Sequence, residues 1–162
     1  MKIIFDASAL IHLLNAEVLD TVLRLNGHTF SIGPQVKTEC GPDQARFEGL
    51  VEAGLISLAD DRELPANSFI DFLALYDLGD GETECPAFAD SDPAFVICSD
   101  DGAARAAASQ HFGPERVVGS LYLLRECVRQ NLINHAQASA AYELMKYRGG
   151  FLPDLPDDYF LA

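Results

Sequence analysis

KIIFDAS, residues 2–8, decides the fold. Ile3, Ile4 and Phe5 run together without alternation and stop at Asp6. An unbroken apolar run bounded by a polar stop reads as a strand buried on both faces, the hallmark of a parallel sheet. Helical spacing begins at once, in ALIHLL and then AEVLDTVLRL. A second run of the same kind, AFVICSDD at 94–101, also stops on carboxylates. HTFSIG (28–33), LISLAD (55–60) and RVVGS (116–120) read as further short strands. Between them lie helical stretches. Pro34 is placed to open one over QVKTEC, Asp43 to open another over QARFEGLVEAG with Gly54 as its stop, and SFIDFLALYDL (68–78) forms a third ended by Gly79 or Gly81. GETECPAFAD (81–90) starts a helix with Pro86 expected in its first turn, and GAARAAASQHF (102–112), LYLLRECVRQNL and HAQASAAYELMKYRG follow.

Strands alternating with helices predict a three-layer α/β/α fold around a parallel sheet. Ligands of such sheets bind beyond the carboxyl ends of the strands. Asp6 and the pair Asp100–Asp101 stand at two such ends. We read residues 1–150 as one domain and 151–162, FLPDLPDDYFLA, as a Pro/Asp-rich tail loosely ordered or draped on the surface.

The chain has 162 residues, 49% of them apolar, enough for one domain with its own core. Asp6, four residues after Lys2, interrupts the apolar core a signal peptide needs, and no apolar run approaches a bilayer span. Cys40, Cys85, Cys98 and Cys127 are scattered, with no CxxC pair and no zinc-ligand spacing. A reducing cytoplasm is the expected setting. The formal net charge is −14, and the 11 Lys and Arg are dispersed. Taken alone, that argues against non-specific binding to a phosphate backbone. It fits a cation site lined by carboxylates, a basic partner protein, or an acidic soluble surface.

Four acidic spots fall at telling places: Asp6, Glu39, Glu82 with Glu84, and Asp100 with Asp101. Gathered carboxylates repel one another, and keeping several ionised normally takes a cation. Oxygen ligands suit Mg²⁺ or Mn²⁺. Each residue also has an ordinary reading. Asp6 could cap the following helix, Glu39 could be a solvated helix residue, Glu82 and Glu84 could answer a helix dipole, and SDDG could be a strand-to-helix turn. The argument for a site rests on the set in its order.

That order is an apolar strand ending Asp6-x-Ser8, then Val36-x-x-Glu39, then Gly81-Glu82-x-Glu84, then Ser99-Asp100-Asp101. It resembles the PIN-domain family of metal-dependent ribonucleases, in the branch of nucleic-acid-binding proteins related to the toxins of toxin–antitoxin pairs. Val118-Gly119-Ser120 before a Leu-rich helix, and the turn Asn131-Leu132-Ile133, are similar too. The resemblance implies a catalytic and metal-binding set of Asp6, Glu39, Glu82 and Asp101, with Asp100 as an additional or alternative ligand. It gives Ser8, Glu84, Ser99 and Arg105 supporting places. It further implies RNA as substrate, an antitoxin-like basic protein partner, and a homodimer. Cys85-Pro86 departs from the helix-forming residues that follow this motif in relatives, which bears on the orientation of Glu82 and Glu84.

Two other readings compete. One keeps the fold as an interaction module with a weak metal site. The other is a phosphotransferase using Asp6 as nucleophile. For that reading, Ser8 stands where a D-x-D motif needs a second Asp, and no Lys lies between Lys37 and Lys146. His12 lies within two helical turns of Asp6, where a packed His is the expected role.

Overall fold

A computed structural model of the chain describes residues 1–41, 44–60, 62, 64, 66–76 and 80–161, the side chains at 44, 76 and 80–82 excepted. Asp43, expected to open a helix, and Gly79, a candidate helix stop, lie outside the described residues. Gly81 falls inside a helix rather than ending one.

Five strands form one parallel sheet: β1 (Lys2–Phe5), β2 (Thr29–Ile32), β3 (Ser57–Leu58), β4 (Phe95–Cys98) and β5 (Val117–Val118), in the order β3-β2-β1-β4-β5. β1 is central, which explains its unbroken apolar run: Ile3, Ile4 and Phe5 are each fully buried. β3 is an edge strand of two exposed residues, shorter than LISLAD suggested, because only Ser57 and Leu58 find partners on β2.

The described helices are α1 (Ala7–Asn15), α2 (Leu19–Val22), α3 (Pro34–Glu39), α4 (Gln44–Glu52), α5 (Ala66–Tyr76), α6 (Asp80–Ser91), α7 (Gly102–Phe112), α8 (Ser120–Arg129) and α9 (His135–Tyr147). α1, α8 and α9 pack on one another; α6 lies against β1 and β4 and packs with α5 and α7. Helices therefore cover both faces, giving the three-layer α/β/α architecture expected. α1 turns Ala9, Leu10 and Leu13 inward at helical spacing. α9 opens with a reciprocal capping box between Asn134 and Gln137.

Pro86 needs a correction. It stands inside α6, not in its first turn. Proline returns no hydrogen bond to the carbonyl one turn back, so tertiary packing must hold this helix. It does: Cys85, Ala87 and Phe88, on either side of Pro86, are at most 2% exposed, and the Cys85 thiol donates to the Phe5 carbonyl at 3.1 Å.

The tail follows the fold closely. Leu152, Leu155 and Tyr159 pack against the core, and Phe160 is buried. The Tyr142 hydroxyl donates to the Pro153 carbonyl at 2.8 Å. Among the described residues, no helix is long and apolar enough to cross a membrane.

The chain moves outward from β1 to β2 and β3, then returns to β4 on the other side of β1. The reversal lies between β1 and β4, and a crevice opens beyond the carboxyl ends there. Asp6 and Ser99 are the first residues past those two ends, and ladder bonds continue through them, from Asp6 N to Cys98 O and from Ser99 N to Val118 O.

Candidate metal centre

Asp6 occupies the N-cap position of α1, yet its side chain makes no capping hydrogen bond. The ordinary reading of this residue therefore fails. The residue is 3% exposed, and Oδ2 accepts two hydroxyl protons, from Ser8 at 2.6 Å and from Ser99 at 2.7 Å. A buried charge needs partners. Here small hydroxyls from two elements supply them, and they fix the carboxylate's orientation. Ser8 Oγ also accepts from the backbone N–H of Asp100 at 3.0 Å and of Asp101 at 3.2 Å. One hydroxyl thus ties the end of β1 to the turn after β4.

The double Asp divides its work. Asp101 caps α7: its Oδ1 accepts from Ala104 N at 2.8 Å. Asp100 points elsewhere. Oδ1 accepts from Ser120 N at the start of α8 at 2.8 Å, and Oδ2 pairs with His12 Nδ1 at 2.7 Å. The Asp100 side chain is only 4% exposed. Gly119 makes room for it, since a Cβ there would stand 2.7 Å from Asp100 Oδ1. His12 is the residue that sequence reasoning undervalued; its distance along the chain from Asp100 hid the pairing.

Glu84 is fully buried. Its two carboxylate oxygens accept from Gln35 N at 3.0 Å and Val36 N at 3.1 Å, so α6 caps the N-terminus of α3 across the structure. Gly33 is required beside it, because a Cβ would come within 2.0 Å of that carboxylate. Glu39 ends α3 and is exposed. The side chain of Glu82 lies outside the described residues. Arg105, one turn into α7, donates through Nη1 to the carbonyls of Ser99 at 2.8 Å and Val118 at 2.7 Å, clasping β4 to β5.

Buried Cys85 senses the gathering of acids. Burial chiefly pushes its thiol well above the ordinary value, and the charges of Asp6 and Glu84, then Cys98 and Glu39, push it further. Cys98 is raised in the same way, by burial and then by Asp100 and Asp6.

The described carboxylates around this crevice offer hard oxygen, which suits Mg²⁺ or Mn²⁺. Among the described residues, no three His, Cys, Asp or Glu side chains come together as a ligand group. The described carboxylates suit an ion that keeps several waters and takes few protein ligands, as Mg²⁺ prefers.

A family model described as DUF3368, a PIN domain, matches residues 2–154. No curated protein and no solved structure matches the chain. The family match runs from the first residue of β1, through the crevice at the carboxyl edge, into the tail beyond α9, and the chain belongs to the PIN-domain family.

Proposed function

We propose that this PIN domain, a nuclease-type fold, is a Mg²⁺- or Mn²⁺-dependent endoribonuclease. The observation that carries the reading is Asp6: a carboxylate buried at the switch point, free of capping duty and aimed by two hydroxyls. Asp6 and Asp101 would hold the ion, with Glu39 and Glu82 reaching it directly or through water. A divalent ion bound there supplies a Lewis acid and an acidified water for phosphodiester hydrolysis. The chain's own residues do the positioning. Ser8 and Ser99 hold Asp6 in one orientation, Asp101 is fixed by its cap to α7, and Glu84 holds the N-terminus of α3, the helix that ends at Glu39.

Of the double Asp, the second is the better ligand. Asp100 already uses both oxygens on His12 and Ser120. A cytoplasmic setting, a homodimer and a basic antitoxin-like partner complete the reading by family resemblance. A second reading is an interaction module of the same fold with a weak metal site. Incubation of the protein with structured RNA in Mn²⁺, in EDTA, and as Asp6→Asn separates them. The nuclease reading expects cleavage in the first condition alone. Equal traces in all three would leave the interaction module.

A further inference from the structure

Beside the acidic centre lies a cavity of about 390 Å³ that the metal site does not use. Its volume falls within the roughly 300–1,000 Å³ of small-molecule sites. It is lined by Gly119, just past β5, by Asp100 and Arg105, by Tyr122 of α8, and by Leu155 and Tyr159 of the tail. Asp100 and Gly119, just past the carboxyl ends of β4 and β5, bring part of its lining to the same edge of the sheet as Asp6. Ser8 Oγ touches both the Asp6 carboxylate and the Asp100 N–H.

We propose that this cavity binds an unpaired guanine base of the RNA strand, next to the phosphodiester at Asp6. The inference rests on the nuclease reading and names its substrate preference. Three observations carry it. First, Arg105 is pinned through Nη1 by two backbone carbonyls. Its Nε and Nη2 donate to no described partner, and the half-buried side chain lines the cavity. A fixed guanidinium edge matches the O6 and N7 acceptors of guanine. Second, most of the lining is apolar and includes two tyrosines, a composition that suits the flat face of a base. Third, charge argues against a phosphate. Asp100 shares the cavity, and the chain's net charge of −14 offers no general attraction to a backbone. Beyond the phosphodiester at the ion, affinity for RNA would then come from bases, and this cavity is large enough for one.

The test is NMR titration of the ¹⁵N-labelled protein in EDTA with GMP, CMP and ribose 5-phosphate. No cleavage is needed for the readout. GMP is expected to shift the Arg105 Nε–H and Gly119 signals saturably, CMP at least about tenfold more weakly, given the worth of one bidentate base contact, and ribose 5-phosphate not at all. Leu155→Trp, which fills the cavity, and Arg105→Met, which removes the donors, should each abolish the response, with thermal melting showing that they fold. An equal response to ribose 5-phosphate would make the cavity an anion site and overturn the proposal. So would unmoved signals with GMP, or their movement only by a peptide carrying an apolar anchor, which would assign the cavity to a protein partner. GMP binding in a protein that binds no Mn²⁺ would uphold the guanine site while the nuclease reading failed. Mn²⁺ binding without GMP binding would do the reverse.

Discussion

The carboxyl ends of β1 and β4 carry the same chemistry and use it differently. At the end of β1, Asp6 is almost wholly buried, makes no side-chain cap to its helix, and accepts hydroxyls from Ser8 and Ser99 on Oδ2. At the end of β4, Asp101 caps α7, and Asp100 braces His12 and the start of α8. One strand end holds a carboxylate in readiness. The other spends much of its acidity on holding elements together. Burying an acid that stabilises no helix is costly, and that cost is understandable where the acid meets a cation. An acid engaged on both oxygens is explained by architecture alone.

Substitutions should separate the two ends. The largest effect is expected for Asp6→Asn on catalysis: RNA cleavage should fall at least about 100-fold. Stability should change by no more than about 1 kcal/mol, because the amide oxygen still accepts from Ser8 and Ser99. Cleavage assays and urea unfolding on the same preparation check both halves. Asp100→Ala should behave in the opposite sense, losing about 3 kcal/mol of stability by stranding His12 and Ser120 N, as read from the urea midpoint. Gly33→Ala should cost about 1–3 kcal/mol, because the new methyl group pushes the Glu84 carboxylate off the N-terminus of α3. A value near zero there would mean that the α6-to-α3 cap contributes nothing.

The smallest effect concerns pH. Burial holds the Cys85 and Cys98 thiols well above their ordinary value and raises Cys127 to about 12. Below about pH 8.5 these thiols are protonated in both states. Above it the unfolded chain releases protons that the fold retains, so stability declines as pH rises. Urea unfolding at pH 7.5 and 9.5 should show the decline, and Cys85→Ala should lessen it. Native protein at pH 8 should also resist iodoacetamide until it unfolds.

Much of this was legible in the sequence. The apolar runs at 3–5 and 95–98 give the two central strands because burial on both faces leaves no polar alternation to read. The crevice followed from where those runs stop. The division of labour between Asp100 and Asp101 was not legible. It depends on His12 and Ser120, which lie 88 and 20 residues away in the chain. Glu84 looked like a helix-start acid answering its own dipole; its partner is the start of α3, 48 residues back. Pro86 pointed to a helix beginning, whereas burial around Cys85 and Phe88 carries α6 through it. Local rules located the elements, and long-range hydrogen bonds assigned the roles.

The most direct test is calorimetric titration of Mn²⁺ into wild type, Asp6→Asn and Asp100→Asn, with melting curves for all three. The account predicts saturable binding in wild type, loss of that binding in folded Asp6→Asn, and its retention in Asp100→Asn. Undiminished binding in Asp6→Asn, or loss only in Asp100→Asn, would contradict the assignment of the cation to the end of β1.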